Sequence, residues 1–142
     1  MNLTTSGLLA GSLGFGGAAL VPGWKDELPE TMRPRRTTAY FDAIGPVALG
    51  TAVTLAIATR GDSTVKRILD AATVIGLAGV LASTIMVTVP INRELEGQPA
   101  SDYPSEKSQS LVKNWSRAHS VRTTLGIGAF ICAAAASVSS KR

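Results

Sequence analysis

Long stretches without a charged side chain dominate the hydropathy pattern of this 142-residue chain. They cover residues 1–24, 43–59, 71–92 and 123–140. A helix that crosses the hydrocarbon core of a bilayer needs about 20 consecutive, mostly apolar residues. The pattern therefore predicts an all-α fold, a four-transmembrane-helix bundle that forms a single integral membrane domain over residues 1–142. The predicted spans cover about residues 3–22, 39–59, 67–91 and 119–139.

The composition of the stretches leaves one alternative fold open. They hold many Gly, Ala, Ser and Thr residues, and a soluble helical bundle with an alanine-rich core would share that composition. Amphipathic helices on the surface of such a bundle rarely extend this far without a charge, which favours the membrane. Gly7 and Gly11 in the first stretch also have the spacing that lets membrane helices approach closely.

The fourth helix is predicted to be longer than the bilayer is thick. No proline interrupts residues 105–139, which would form a helix about 50 Å long at about 1.5 Å per residue. The hydrocarbon core measures only about 30 Å. Residues 105–118 are therefore expected to project beyond the bilayer or to lie on its surface.

The only histidine of the chain lies where this fourth helix enters its uncharged part. Trp115, His119 and Arg122 follow the spacing i, i+4 and i+7, which puts them on one face of a helix. An aromatic ring, a titratable imidazole and a permanent cation are thus predicted to lie together at a membrane boundary. Burying polar groups in such a position costs free energy, so this face is the leading candidate for a functional site.

The end of the third span offers a partner for that face. Pro90 has no N–H, so the carbonyl of Met86 loses its helical hydrogen bond. A kink at this point would turn Asn92 inward, toward the fourth helix. A plain helix end near Arg93 is the alternative.

The remaining composition argues against several other functions. With one histidine and one cysteine, Cys132, the chain has neither an H-x-x-x-H nor a C-x-x-C pair, so no metal site is expected. The net charge is +4, but the basic residues gather at the ends of spans, where they bind membrane lipids rather than nucleic acid. A transporter or channel is disfavoured because the spans lack charges at mid-membrane.

Two strings give the chain a family resemblance: VPINR at residues 89–93, and WSRAHSVRT at residues 115–123, with its Trp-x3-His-x2-Arg-Thr spacing. Together with four predicted spans, they resemble the anthrone oxygenase-like family of small four-helix membrane proteins, which in bacteria are mostly domains of unknown function. The resemblance implies a place in a bacterial plasma membrane. It also implies oxidation of an anthrone, a fused phenolic tricycle, by molecular oxygen with no metal or organic cofactor.

The resemblance carries over to four positions, and the chemistry of their side chains suggests a role for each. His119 and Arg122 would be catalytic: the imidazole, whose unperturbed pKa is about 6.5, would remove a proton, and the guanidinium would stabilise the resulting oxyanion. Asn92 and Trp115 would bind and position the flat substrate. The predicted partner is therefore an aromatic, quinone-like small molecule.

A structural interpretation of the same residues stays open. Polar groups at a membrane boundary often satisfy one another: Arg122 could pair with Asp42 or Asp70. It could instead cap the end of the third span through Asn92 and the free carbonyl near Pro90, which would form a polar clasp between the third and fourth spans. The chain would then be a non-enzymatic accessory subunit, whose small-residue helices pack against a larger membrane protein complex.

Overall fold

The computed structural model describes residues 7, 10, 11, 35–58, 63–97 and 105–139. Apart from Ser63, Gly97 and Ser105 these residues are helical, and they contain no strand, which confirms the all-α prediction for this part of the protein. In chain order the elements are α1 (Arg35–Ala58), α2 (Thr64–Ser83), a π-helical segment (Thr84–Thr88), α3 (Val89–Glu96) and α4 (Glu106–Ser139). The predicted first span lies mostly outside the described residues.

Serine side chains begin two of these helices. Ser63 precedes α2, and its hydroxyl accepts a hydrogen bond from the backbone N–H of Lys66 at 3.4 Å. Before α4, the hydroxyl of Ser105 accepts from the N–H of Ser108 at 3.2 Å, and the Ser108 hydroxyl accepts from the Ser105 N–H at 2.9 Å. These reciprocal bonds satisfy N–H groups that a helix start otherwise leaves unpaired.

Two helices of the described chain are long and apolar enough to cross a membrane. One runs over Thr64–Leu95 through the π-helical segment, and the other is α4. In α1 the apolar part is shorter and covers Ala43–Ala58. The uninterrupted helix predicted for residues 105–139 is confirmed, since α4 continues for 34 residues.

Small residues fill the interior, and large aliphatic residues cover the outside. Ala48, Ala52 and Ala129 are at most 2% exposed, and they pack with Leu77 and Val80 to form the core. In contrast, many branched aliphatic and methionine side chains point outward, including Val47, Ile57, Ile68, Ile75, Ile85, Met86, Val121, Ile131 and Val138. This distribution is typical of helices packed in lipid, where small residues bring backbones together and lipid tails solvate the large ones.

Helices α2 and α4 form the main interface of the described bundle and run antiparallel. Their contacts follow one register, from Thr73 beside Ala129, through Gly76 and Gly79 beside Leu125, to Arg122 beside Thr84 and Trp115 beside Asn92. A Cβ placed on Gly76 would lie 3.0 Å from the Ala129 Cβ and 3.2 Å from the Leu125 carbonyl oxygen. At Gly76 the backbones of the two helices are therefore so close that a larger side chain would displace its neighbours on α4.

The π-helical segment ends two residues before Pro90. It rotates the residues that follow it about the helix axis, so that they lie on a different face than in a regular α-helix. Its defining bond runs from the Val89 N–H to the Thr84 carbonyl. In a regular α-helix the 12 residues from Val80 to Asn92 would make about 3.3 turns, leaving Asn92 about a third of a turn away from Val80. One extra residue in a π turn removes most of that offset. Asn92 thereby returns to the face that packs on α4.

The helix ends three residues beyond Arg93, at Glu96. It passes through Pro90 and continues as α3 to Glu96, where the N–H of Gly97 bonds the Arg93 carbonyl at 3.2 Å. The π segment absorbs the disturbance from the proline, whose ring would otherwise clash with the carbonyl of Met86 in a regular helix.

Candidate functional site

Three side chains of α4 form a stack on its inner face. The indole of Trp115 and the imidazole of His119 lie almost parallel, with an interplanar angle of 7° and ring centroids 4.9 Å apart. The guanidinium carbon of Arg122 lies 5.6 Å from the indole centroid. All three residues are at least nine-tenths buried. The predicted sharing of one face is thus confirmed, and the spacing of three and four residues explains it.

The contact between Arg122 and His119 fixes the tautomer of the neutral imidazole. Nη2 of the guanidinium lies 3.1 Å from Nδ1 of the ring. Because a guanidinium can only donate hydrogen bonds, Nδ1 must accept this one, and the ring hydrogen lies on Nε2. The lone pair of Nδ1 is therefore directed at Arg122.

A second bond joins Arg122 to the π-helical segment. Nη1 lies 3.4 Å from the hydroxyl oxygen of Thr84, which itself donates to the Val80 carbonyl at 2.8 Å. Since the Thr84 hydrogen is already used, its oxygen accepts from the guanidinium. Arg122 therefore links the fourth helix to the π turn through a neutral acceptor.

Within the described chain, no carboxylate neutralises Arg122. Asp70, one of the two partners considered for it, pairs instead with Lys66 at 2.8 Å, so the Arg122–Asp70 prediction was wrong. The side chain of Asp42, the other, lies outside the described residues. The Nε–H of Arg122 is buried and has no hydrogen-bond partner. A buried cation with an unused donor is costly, and such groups often mark functional positions.

Asn92 reaches the stack from α3. Its Oδ1 accepts a hydrogen bond from the indole Nε1–H of Trp115 at 2.9 Å. This contact fixes the orientation of the indole plane and connects α3 to α4. The structure thus brings together all four residues predicted for the site, Asn92, Trp115, His119 and Arg122.

Two threonines of the π segment also belong to this cluster, and sequence reasoning did not include them in the site. Thr84 bonds Arg122, and Thr88 is 5% exposed with a hydroxyl that has no partner. The available signal was their spacing: Thr84, Thr88 and Asn92 follow one another at intervals of four residues.

The arrangement combines a neutral base, a cation and a flat aromatic surface in a buried position. It could remove a proton from a weak acid and stabilise the anion that results. No group of three or more His, Cys, Asp or Glu side chains in the described ranges could hold a metal ion.

Comparison with known proteins gives one match. The model of a protein family described as anthrone oxygenase matches residues 37–132, about two thirds of the chain. The matched range includes every residue of the cluster. No curated protein and no solved structure gives a significant match.

Proposed function

The chain belongs to the anthrone oxygenase family, and from this premise we propose that it is an integral membrane enzyme. It oxidises an anthrone-like flat aromatic ketone with molecular oxygen and without a bound cofactor. The observation that carries this proposal is the direct contact between a buried guanidinium and the Nδ1 lone pair of a neutral imidazole. A base and an oxyanion-stabilising cation then lie side by side, in surroundings that strengthen electrostatic interactions.

The overall reaction converts one anthrone and one O₂ into one anthraquinone and one water. His119 takes a proton from the methylene carbon opposite the ketone, and the electron pair of that C–H bond delocalises onto the ketone oxygen. The anion transfers one electron to O₂, and the two radicals combine into a carbon-bound peroxide, which is protonated. Loss of water breaks the O–O bond and the second C–H bond, which leaves the new carbonyl.

Arg122 couples the release of the base to the stabilisation of the negative charge that forms on the ketone oxygen. In the structure its Nη2–H occupies the Nδ1 lone pair of His119, so the imidazole cannot accept a proton there. A ketone oxygen that binds on the edge of the guanidinium formed by Nε and Nη2 draws the Nη2–H away from Nδ1, which is then free to act as the base. The same exchange places the cation next to the oxygen on which negative charge develops. Trp115 and Asn92 are the positioning groups, because their hydrogen bond orients the aromatic surface.

The proposal is tested with purified protein in lipid nanodiscs, supplied with anthrone and oxygen. Anthraquinone formation and oxygen consumption are measured together and should match one to one. His119→Gln removes the base while retaining a planar, hydrogen-bonding side chain, and turnover should fall by about 10²–10⁴-fold. The matched control is Thr73→Val, which removes a buried hydroxyl far from the cluster and should leave turnover unchanged. Wild-type turnover in His119→Gln would eliminate this mechanism.

A second candidate function is the non-enzymatic accessory subunit. In its favour, the cluster is mostly satisfied by its own members, as expected of a clasp between α3 and α4. However, four small residues of α4, Gly126, Ala129, Ala133 and Ala136, are buried inside the described bundle, and Gly128 is the exposed glycine of this helix. Gentle purification followed by mass spectrometry separates the two functions: stoichiometric subunits that co-purify with a chain inactive toward anthrone would favour the accessory role.

A further inference from the structure

Two buried polar atoms of the cluster have no hydrogen-bond partner. They are the hydroxyl oxygen of Thr88 and the Nε of Arg122, in residues that are 5% and 6% exposed. An unsatisfied buried polar group costs about 1–3 kcal/mol, and native proteins keep few of them. Two such atoms in one cluster therefore indicate a bound group that would satisfy both.

The position of Thr88 in the fold places it between two contacts with α4. One turn before it, Thr84 accepts a hydrogen bond from Arg122, and one turn after it, Asn92 accepts one from Trp115. Because these three residues share a face across the π segment, Thr88 lies toward the same side as both contacts. The neighbouring residues Ile85, Met86 and Val87 point outward.

The available hydrogen-bonding groups define the chemistry of the ligand. The Nε–H of Arg122 can only donate, and the hydroxyl of Thr88 can donate as well. Thr84 differs from Thr88 in this respect, since its hydrogen is committed to the Val80 carbonyl. A ligand atom that satisfies both groups must accept two hydrogen bonds beside a positive charge. A carbonyl oxygen that becomes an enolate fits these requirements, whereas a metal cation would be repelled.

We propose that Thr88 is a positioning residue which, together with the Nε–H of Arg122, binds the ketone oxygen of a flat aromatic substrate. This inference rests on the proposed function and deepens it, because it assigns the ketone to the space between the π segment and α4. It also gives the π turn a role: it presents Thr88 and Asn92 together on the face that packs against α4.

Binding without turnover tests this assignment. Trp24→Phe leaves Trp115 as the only tryptophan, so that its fluorescence reports ligands at the cluster. Under anaerobic conditions in nanodiscs, quenching is titrated with anthraquinone, which carries ketone oxygens, and with anthracene, which has the same three rings without oxygen. One hydrogen bond should favour anthraquinone by about tenfold.

Three variants in the Trp24→Phe background complete the test. Thr88→Val should reduce the preference for anthraquinone by about tenfold by weakening that ligand alone, because only the Arg122 donor remains, and Thr88→Ser should restore it. Thr73→Val, the remote control, should keep it. Retention of the full preference in Thr88→Val, or equal binding of both ligands by the unmodified site, would overturn the assignment.

The same measurement separates the inference from the proposed function. His119→Gln should stop oxidation yet keep the preference for anthraquinone, since the ketone contacts do not include the imidazole. A chain that prefers anthraquinone through Thr88 but never oxidises anthrone would support the subsite and refute the enzyme. A chain that oxidises anthrone while Thr88→Val leaves both ligand affinities and KM unchanged would refute only the subsite.

Discussion

Two buried cations lie toward opposite ends of the same α2–α4 pair, and they are compensated in different ways. Near the start of α2, Lys66 is bonded to Asp70 at 2.8 Å, and the two side chains are 5% and 4% exposed. At the other end, Arg122 bonds two neutral acceptors, His119 and Thr84, and keeps one donor unpaired. The first arrangement neutralises a charge within the protein, whereas in the second no carboxylate of the described residues pairs with the cation.

The helices also pack more closely around Lys66 than around Arg122. Toward Lys66 the helices touch through Gly76, Thr73 and Ala129, whose backbones are almost in contact. Toward Arg122 the π segment interrupts the regular helix, and long polar side chains fill the interface. One end neutralises its buried charge, while the other carries two buried polar atoms without a partner, as is common where a ligand binds.

The largest effect should come from breaking the ion pair. Asp70→Asn removes one charge with almost no change in shape and leaves the Lys66 ammonium buried beside a neutral amide. We expect the free energy of unfolding to fall by about 3–5 kcal/mol. Equilibrium unfolding in mixed detergent micelles, followed by circular dichroism, measures this loss.

The double variant Lys66→Met, Asp70→Leu is the control for that prediction. It removes both charges and fills the space with apolar side chains, so it should be much less destabilised than Asp70→Asn. A loss as large in the double variant as in the single one would mean that the pair itself, rather than an unpaired charge, determines the stability.

A smaller loss should follow from forcing the tight end of the interface apart. Gly76→Ala would place a Cβ 3.0 Å from the Ala129 Cβ and 3.2 Å from a backbone oxygen that cannot move freely. Such overpacking should cost about 1–3 kcal/mol of unfolding free energy. Gly128→Ala is the matched control on α4, since its Cβ meets nothing within 4 Å. Equal stability of the two alanine variants would show that the backbones are not in tight contact.

Part of the Arg122 end of the helix pair could be predicted from the sequence. Helix α4 and the shared face of Trp115, His119 and Arg122 follow from local rules, because an uninterrupted helix repeats every 3.6 residues regardless of its surroundings. The approach of Asn92 to that face was also anticipated, from the proline two residues before it. The helix and its shared face depend on the chain order alone, whereas Asn92 reaches that face with the help of the π turn.

The features that were missed depend on tertiary packing. Lys66 and Asp70 have the i, i+4 spacing of an ion pair, but only the neighbouring elements decide that both become buried. The π turn has no reliable signal in the local sequence. It forms because shifting one backbone hydrogen bond from i−4 to i−5 improves the packing of the residues that follow. The spacing of Thr84, Thr88 and Asn92 indicates a shared face, but only the packing shows that the Thr88 hydroxyl is buried without a partner.

A third prediction concerns the stability of the open end. Arg122→Gln removes the cation and the unpaired Nε–H while keeping one amide donor for His119 or Thr84. Relief of a buried charge that no carboxylate in the described ranges neutralises should offset the lost hydrogen bonds, so unfolding free energy should change by no more than about 1 kcal/mol. The loss should be clearly smaller than in Asp70→Asn, when both are measured in the same micelles. A loss equal to that of Asp70→Asn would assign Arg122 a structural role like that of the ion pair.

The smallest effect should come from an ion pair that matches the first in length but not in burial. Lys107 on α4 lies 2.7 Å from Glu94 on α3, yet the two side chains are 66% and 46% exposed. Water already solvates both charges, so Lys107→Ala should change the unfolding free energy by at most about 0.5 kcal/mol. Two pairs of nearly equal length would then differ severalfold in their effect. If Lys107→Ala were instead as costly as Asp70→Asn, distance rather than burial would govern the electrostatics of this helix bundle.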